Sequence, residues 1–113
     1  MTIPFDAVIA VEKVRDYLLK PLIEDDNSGY LELAGYSRDD FWELRRDLRS
    51  QLLPAEALYQ YSNRFGDFFE LLGVLQGPNQ RKIGVKTIWV LDRDGTVRFI
   101  TLFPARKEGY DEI

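Results

Sequence analysis

The chain has no cysteine and no histidine. Without cysteine there is no disulfide framework, no thiol nucleophile and no thiolate metal site. Without histidine, the usual general base near neutral pH and the commonest zinc ligand are both missing. No apolar run approaches the roughly 18–20 residues that a membrane-spanning helix requires. Met1-Thr2-Ile3-Pro4-Phe5-Asp6 carries no positive charge ahead of an apolar stretch, so it does not read as a secretory signal. No glycine-rich phosphate loop, serine elbow or calcium-loop spacing is present. Glu24, Asp25 and Asp26 offer hard oxygen ligands, but three consecutive acids point in different directions. The expectation is a cytoplasmic protein with neither metal nor cofactor.

What is there suits a folded domain. At 113 residues, with 45% hydrophobic and 30% charged residues, the chain can bury a core without cross-links. One domain is expected, with a helical part over about residues 6–54, a sheet over 57–104 and a tail from 105 to 113. A formal charge of −4 hides an asymmetry. Through Gln60, twelve acidic residues face seven basic ones. From Arg81 to Lys107, seven basic residues (Arg81, Lys82, Lys86, Arg93, Arg98, Arg106, Lys107) face only Asp92 and Asp94. Such segments are either solvated faces that partly neutralise each other or a local basic surface for phosphate or an acidic partner.

Hydrophobic periodicity places the elements. Val11, Val14 and Leu18 form an apolar stripe within Ala7 to Lys20, which reads as a helix or a short strand running into one and which Pro21 stops. A short helical stretch from Tyr30 to Ala34 ends where Gly35 can take the left-handed C′ position. Ser37-Arg38-Asp39-Asp40 resembles a capping box and opens a helix to about Leu53, buried along Phe41, Leu44, Leu48 and Leu52. From Ala57 the period changes to two. Strands are predicted over Ala57 to Ser62, Asp67 to Leu75, Lys82 to Leu91 and Thr96 to Phe103, separated by Asn63-Arg64-Phe65-Gly66, Gly77-Pro78-Asn79 and Asp92-Arg93-Asp94-Gly95. The fold class is therefore α+β: N-terminal helices, then a C-terminal antiparallel β-meander of about four strands, with the helices packed on one sheet face.

The last hairpin fixes a register. Asp92-Arg93-Asp94-Gly95 fits a type I turn followed by a left-handed glycine, which pairs Asp92 with Thr96. Counting outward, Trp89 meets Phe99, Ile88 meets Ile100, Thr87 meets Thr101 and Lys86 meets Leu102. One face then carries Thr87, Trp89, Phe99 and Thr101, and the other carries Lys86, Ile88, Arg98 and Leu102.

Six ordered blocks carry a resemblance: Lys13-Val14-Arg15-Asp16-Tyr17-Leu18-Leu19, Leu33-Ala34-Gly35-Tyr36, Asp47-Leu48-Arg49-Ser50-Gln51-Leu52-Leu53, Gly77-Pro78-Asn79, Thr87-Ile88-Trp89 and Phe99-Ile100-Thr101-Leu102-Phe103-Pro104. Together they resemble the bacterial family known as domain of unknown function 6883, over nearly the whole chain. The resemblance implies a small protein of the kind found in toxin–antitoxin-like pairs. The order of helices and sheet is also similar, at fold level, to the barnase/EndoU/colicin/RelE-like ribonucleases. That second likeness implies a metal-independent endoribonuclease as an alternative function. Relatives resemble one another in a lysine before the Leu33 block, where this chain reads Asp26-Asn27-Ser28-Gly29-Tyr30.

Two functional readings follow. Ribonuclease chemistry needs a base, an acid and a cation for the phosphorane, and Lys, Arg, Tyr or carboxylates can fill these roles. The catalytic candidates are Lys86, Arg98 and Thr101. Trp89 would stack on a base, with Thr87, Arg64, Arg81 and Arg106 completing a binding surface. The register divides these groups between two faces, and a sequence pI near 4.8 is low for an RNA binder. Each residue also has a structural role open to it: Trp89 with Phe99 as core, Thr87 with Thr101 as a β-pair, Lys86 and Arg98 as edge-protecting charges. The competing reading is a protein-binding module or homo-oligomer, supported by more sheet aromatics than one small core readily buries.

Overall fold

A computed structural model describes residues 1–19 and 28–105. The chain begins not with a helix but with a short strand, β1 (Thr2–Ile3), paired antiparallel with β2 (Ala55–Glu56). Between them lie a π-helical turn (Lys13–Leu18), α1 (Ser28–Glu32), a 3₁₀ turn (Arg38–Asp40) and α2 (Phe41–Leu52). A four-stranded antiparallel meander follows in the order β3 (Leu58–Asn63), β4 (Gly66–Gln76), β5 (Lys82–Asp92), β6 (Val97–Pro104). Among the described residues no helix is long and apolar enough to cross a membrane. The α+β class and the meander match the sequence reading.

The N-terminal part departs from it. Residues 7–10 are not helical, because Ala7 and Ile9 bury at a strand-like period of two while Val8 points out. Their backbone is satisfied from three sides. The Arg45 guanidinium donates to the Ile9 carbonyl at 2.6 Å, and Arg49 donates to the carbonyls of Phe5 and Ala7. Val8 pairs with the outer edge of β6, donating to the Val97 carbonyl and accepting from the Phe99 amide, both at 2.8 Å. One sheet edge is thus covered by the chain's own start, whereas β3, exposed along all six residues, is a bare edge.

The helices cover one sheet face, as expected. Leu44, Leu48 and Leu52 of α2 join Leu71, Leu75, Val85, Trp89, Phe99 and Leu102 in one core. Gly73 lies under the Leu52 side chain, where a Cβ would collide with it. The blocks Leu33-Ala34-Gly35-Tyr36 and Gly77-Pro78-Asn79 lock together at the end of α1. Asn79 donates from its side chain to the Leu33 carbonyl (3.0 Å) and from its backbone to the Ala34 carbonyl (3.3 Å), capping the helix from a distant loop. Gly77 packs so closely on the Ala34 carbonyl that no side chain fits there.

Candidate functional site

The β5–β6 hairpin decides which residues share a surface. Its turn is as expected: Gly95 has φ +90°, its amide bonds the Asp92 carbonyl, and Asp92 pairs with Thr96. Leu91, Val90 and Trp89 meet Val97, Arg98 and Phe99 in the expected register. A β-bulge at Ile100 then adds one residue to β6. Ile88 consequently faces Thr101, Thr87 faces Leu102 and Lys86 faces Phe103. The expected pairs Ile88–Ile100, Thr87–Thr101 and Lys86–Leu102 are corrected by one position. An extra residue shifts the pleat, so everything beyond it changes face.

This shift relocates Thr101. It moves from the face of Thr87 to the open face, which holds Lys86 and Arg98, so the three proposed catalytic residues lie on one surface. Thr101 lines a trough of about 390 Å³ across the sheet, together with Tyr61, Phe68, Glu70, Ile88, Ile100 and Phe103. The Thr101 Oγ1 is buried and has no hydrogen-bond partner among the described residues. Tyr61 stacks on Phe68 at 4.8 Å, and Leu58, Tyr61, Leu72 and Phe103 remain 66%, 52%, 46% and 41% exposed. Apolar side chains thus stand in every cross-strand row of this face, with Glu70, Lys86 and Arg98 among them.

Its charges are matched internally. Lys86 Nζ lies 3.7 Å from Glu70, and Arg98 Nε lies 2.6 Å from Asp92 and Nη2 lies 3.9 Å from Asp94. Hydrogen bonds from the Asp94 carboxyl and the Arg98 guanidinium, with backbone amides of Thr96 and Asp94, hold the Asp92 carboxyl down at about 2. Arg98 stands opposite Val90, four positions along β5 from Lys86, which is roughly 13 Å at ~3.4 Å per residue. Each cation is held by its own carboxylate, and Thr101 sits between their levels.

The proposed binding residues scatter. Trp89 and Thr87 are both 0% exposed. Trp89 packs edge-on against Phe99 at 5.3 Å, and its indole N–H donates to Thr87 Oγ1 (2.8 Å), which donates to the Leu71 carbonyl (2.9 Å). The expectation that they bind a ligand is therefore corrected: a fully buried ring cannot stack on a base without opening the core. Arg64 lies in the β3–β4 turn over the Phe65 ring, while Arg81 lies in the β4–β5 turn at the other end of the sheet. The eleven residues of β4 keep them on the order of 35 Å apart. Arg106 and the acidic run Glu24-Asp25-Asp26 lie outside the described residues.

One buried polar pair was missed. The Tyr36 hydroxyl donates to Asp47 Oδ2 at 2.7 Å, and Asp47 also pairs with Arg46 at 3.3 Å. Burial, then the Asp47 carboxylate, push the Tyr36 phenol well above its usual range. The signal was present, since Asp47 falls at i+3 from Leu44 and beside Leu48, an acid inside an apolar stripe.

The sequence model of the domain of unknown function DUF6883 matches residues 5–106. The chain belongs to this family. No curated protein matches it significantly. Among solved structures, this DUF6883 chain is similar to one in a contact-dependent growth inhibition toxin–immunity protein complex from Klebsiella pneumoniae 342. The TM-score is 0.70 at 18% identity, covering 90% of this chain and 96% of that one. At that identity the likeness shows a common fold. Within the family blocks, Leu33–Tyr36 and Gly77–Asn79 are joints of the fold, whereas Phe99–Pro104 contains the bulge that builds the open face.

Proposed function

We propose that this DUF6883 protein is a protein-binding module, one component of a toxin–immunity-type pair, acting in the cytoplasm through the open face of its sheet. The observation that carries this reading is a largely apolar face whose central cations, Lys86 and Arg98, already have acidic partners in the chain. Covering such a face with protein strands no unpaired charge, whereas an RNA-binding surface presents unmatched cations to phosphates. The fold shared with a chain of a toxin–immunity complex supports the same reading. The test is a calorimetric titration against the product of the adjacent gene. Phe103→Glu and Leu72→Lys should each weaken binding about tenfold or more, and Trp42→Ser, on the helix layer, should not. Equal loss from Trp42→Ser would place the interface elsewhere.

A second reading, a metal-independent endoribonuclease, is favoured by one specific observation. The bulge at Ile100 puts Thr101 on the same face as Lys86 and Arg98, with Glu70 beside Lys86 as a proton acceptor. Induced expression followed by an RNA cleavage assay tests it. On this reading wild type cuts RNA and arrests growth, and Lys86→Ala and Arg98→Ala each cut at least about a hundredfold more slowly. Wild type that does neither removes the reading.

A further inference from the structure

We infer that the open sheet face pairs with a second copy of this chain, about a two-fold axis running parallel to the strands between β4 and β5. This rests on the reading of the open face as a protein-binding surface, for which a second copy and the toxin–immunity-type partner would compete. Four observations lead to it.

The first is area. The exposed parts of Leu58, Tyr61, Leu72 and Phe103, with half-buried Ile88 and Ile100, amount to roughly 400–500 Å² of surface per copy. A patch of that size ranks with the largest on a small monomer and is often functional. With the polar rim of β3 added, the face approaches the roughly 800 Å² per partner of a standard interface.

The second is charge. The face carries both signs in adjacent places, Glu70 on β4 and Lys86 on β5. A partner of one sign would set a like charge against one of them. A copy rotated about this axis lays β4 over the other copy's β5, so each Lys86 comes beside the other copy's Glu70, and the balance is kept.

The third is the shape of the face. Its trough is lined by Gln60 and Tyr61 of β3 on one side and by Thr101 and Phe103 of β6 on the other. The same rotation lays β3 over the other copy's β6, so the exposed Tyr61 ring of each copy comes over the other copy's β6, twice per dimer.

The fourth is the sheet's edges. β6 is already covered by Val8. The bulge between Tyr59 and Tyr61 interrupts the regular ladder of β3, which disfavours edge-to-edge extension and leaves the face as the route to association.

Sedimentation velocity on the full chain, from micromolar to near-millimolar concentration, tests the inference. Wild type should show a concentration-dependent dimer. Leu72→Lys and Phe103→Glu should each weaken it about tenfold or more, with the urea midpoint checked to show that the fold is kept. Lys86→Glu and Glu70→Lys should each be monomeric alone and dimerise when mixed, because the mixture restores both cross-chain pairs. A wild type that stays monomeric overturns the inference, as does a Lys86→Glu/Glu70→Lys mixture that fails to associate, or a dimer broken by Trp42→Ser but not by Phe103→Glu. The wider binding reading is decided separately by the titration above.

Discussion

Thr87 and Thr101 were expected to face each other across the last hairpin, and they stand instead on opposite sides of the sheet. Thr87 lies on the helix-covered face, where it accepts from Trp89 and donates to Leu71. Thr101 lies on the open face, its hydroxyl buried and without a hydrogen-bond partner among the described residues. The two faces are built to different ends. On the covered face, shape and hydrogen bonds are both complete within the chain. On the open face the charges are matched, but apolar surface and one hydroxyl are left over. A surface that is complete needs no partner, and one with such remainders is suited to gain one.

The comparison can be broken first at its most buried point. Trp89→Ala removes the largest fully buried side chain and should cost about 3–5 kcal/mol in urea or thermal unfolding. A loss well below that would mean the covered face is not the core. Next comes one substitution made on both faces. Thr87→Val strands the Trp89 N–H and should cost about 1–3 kcal/mol. Thr101→Val removes an unsatisfied hydroxyl and should leave stability unchanged or raise it by about 1 kcal/mol or less. Equal costs at both sites would erase the distinction between the faces.

Two pH effects sharpen it further. The Tyr36 phenol is raised in the fold by burial and Asp47, so its contribution is present below its ordinary value of 10.0 and is lost as pH rises beyond that. Tyr36→Phe should remove that alkaline slope and, by leaving Asp47 without its donor, cost about 1–3 kcal/mol near neutral pH. The smallest effect lies at the hairpin. The Asp92 carboxyl falls from 3.8 to about 2 on folding, so its contribution is present above 3.8 and is lost as pH drops toward 2. In thermal melts across that window, Asp92→Asn should have a flatter pH dependence than wild type.

Much of this fold was legible in the sequence because its signals were local. The Asp92–Gly95 turn, the four strands and the stripe of α2 follow from turn chemistry and periodicity. The start of the chain was read only in part, with helix and strand both open over Ala7 to Lys20, because its short strand and extended run are held by partners far away in sequence: β2, Arg45, Arg49 and the edge of β6. The open face was misassigned for a different reason. Phe99-Ile100-Thr101-Leu102-Phe103 is apolar or β-branched throughout, so alternation gives no clue that Ile100 is the extra residue. Once the bulge is placed, Lys86, Arg98 and Thr101 fall together, and Trp89 and Thr87 leave the site for the core.

The central claim is that the open face is the working surface. The most direct measurement is amide and methyl chemical-shift mapping of the labelled chain as its concentration, or that of its partner, is raised. The account predicts shifts concentrated at Gln60, Tyr61, Leu72, Lys86, Ile88, Thr101 and Phe103. Shifts confined to Trp42 and the exposed side of α2, or to the Arg64–Phe65 turn, with the open face unmoved, would contradict it.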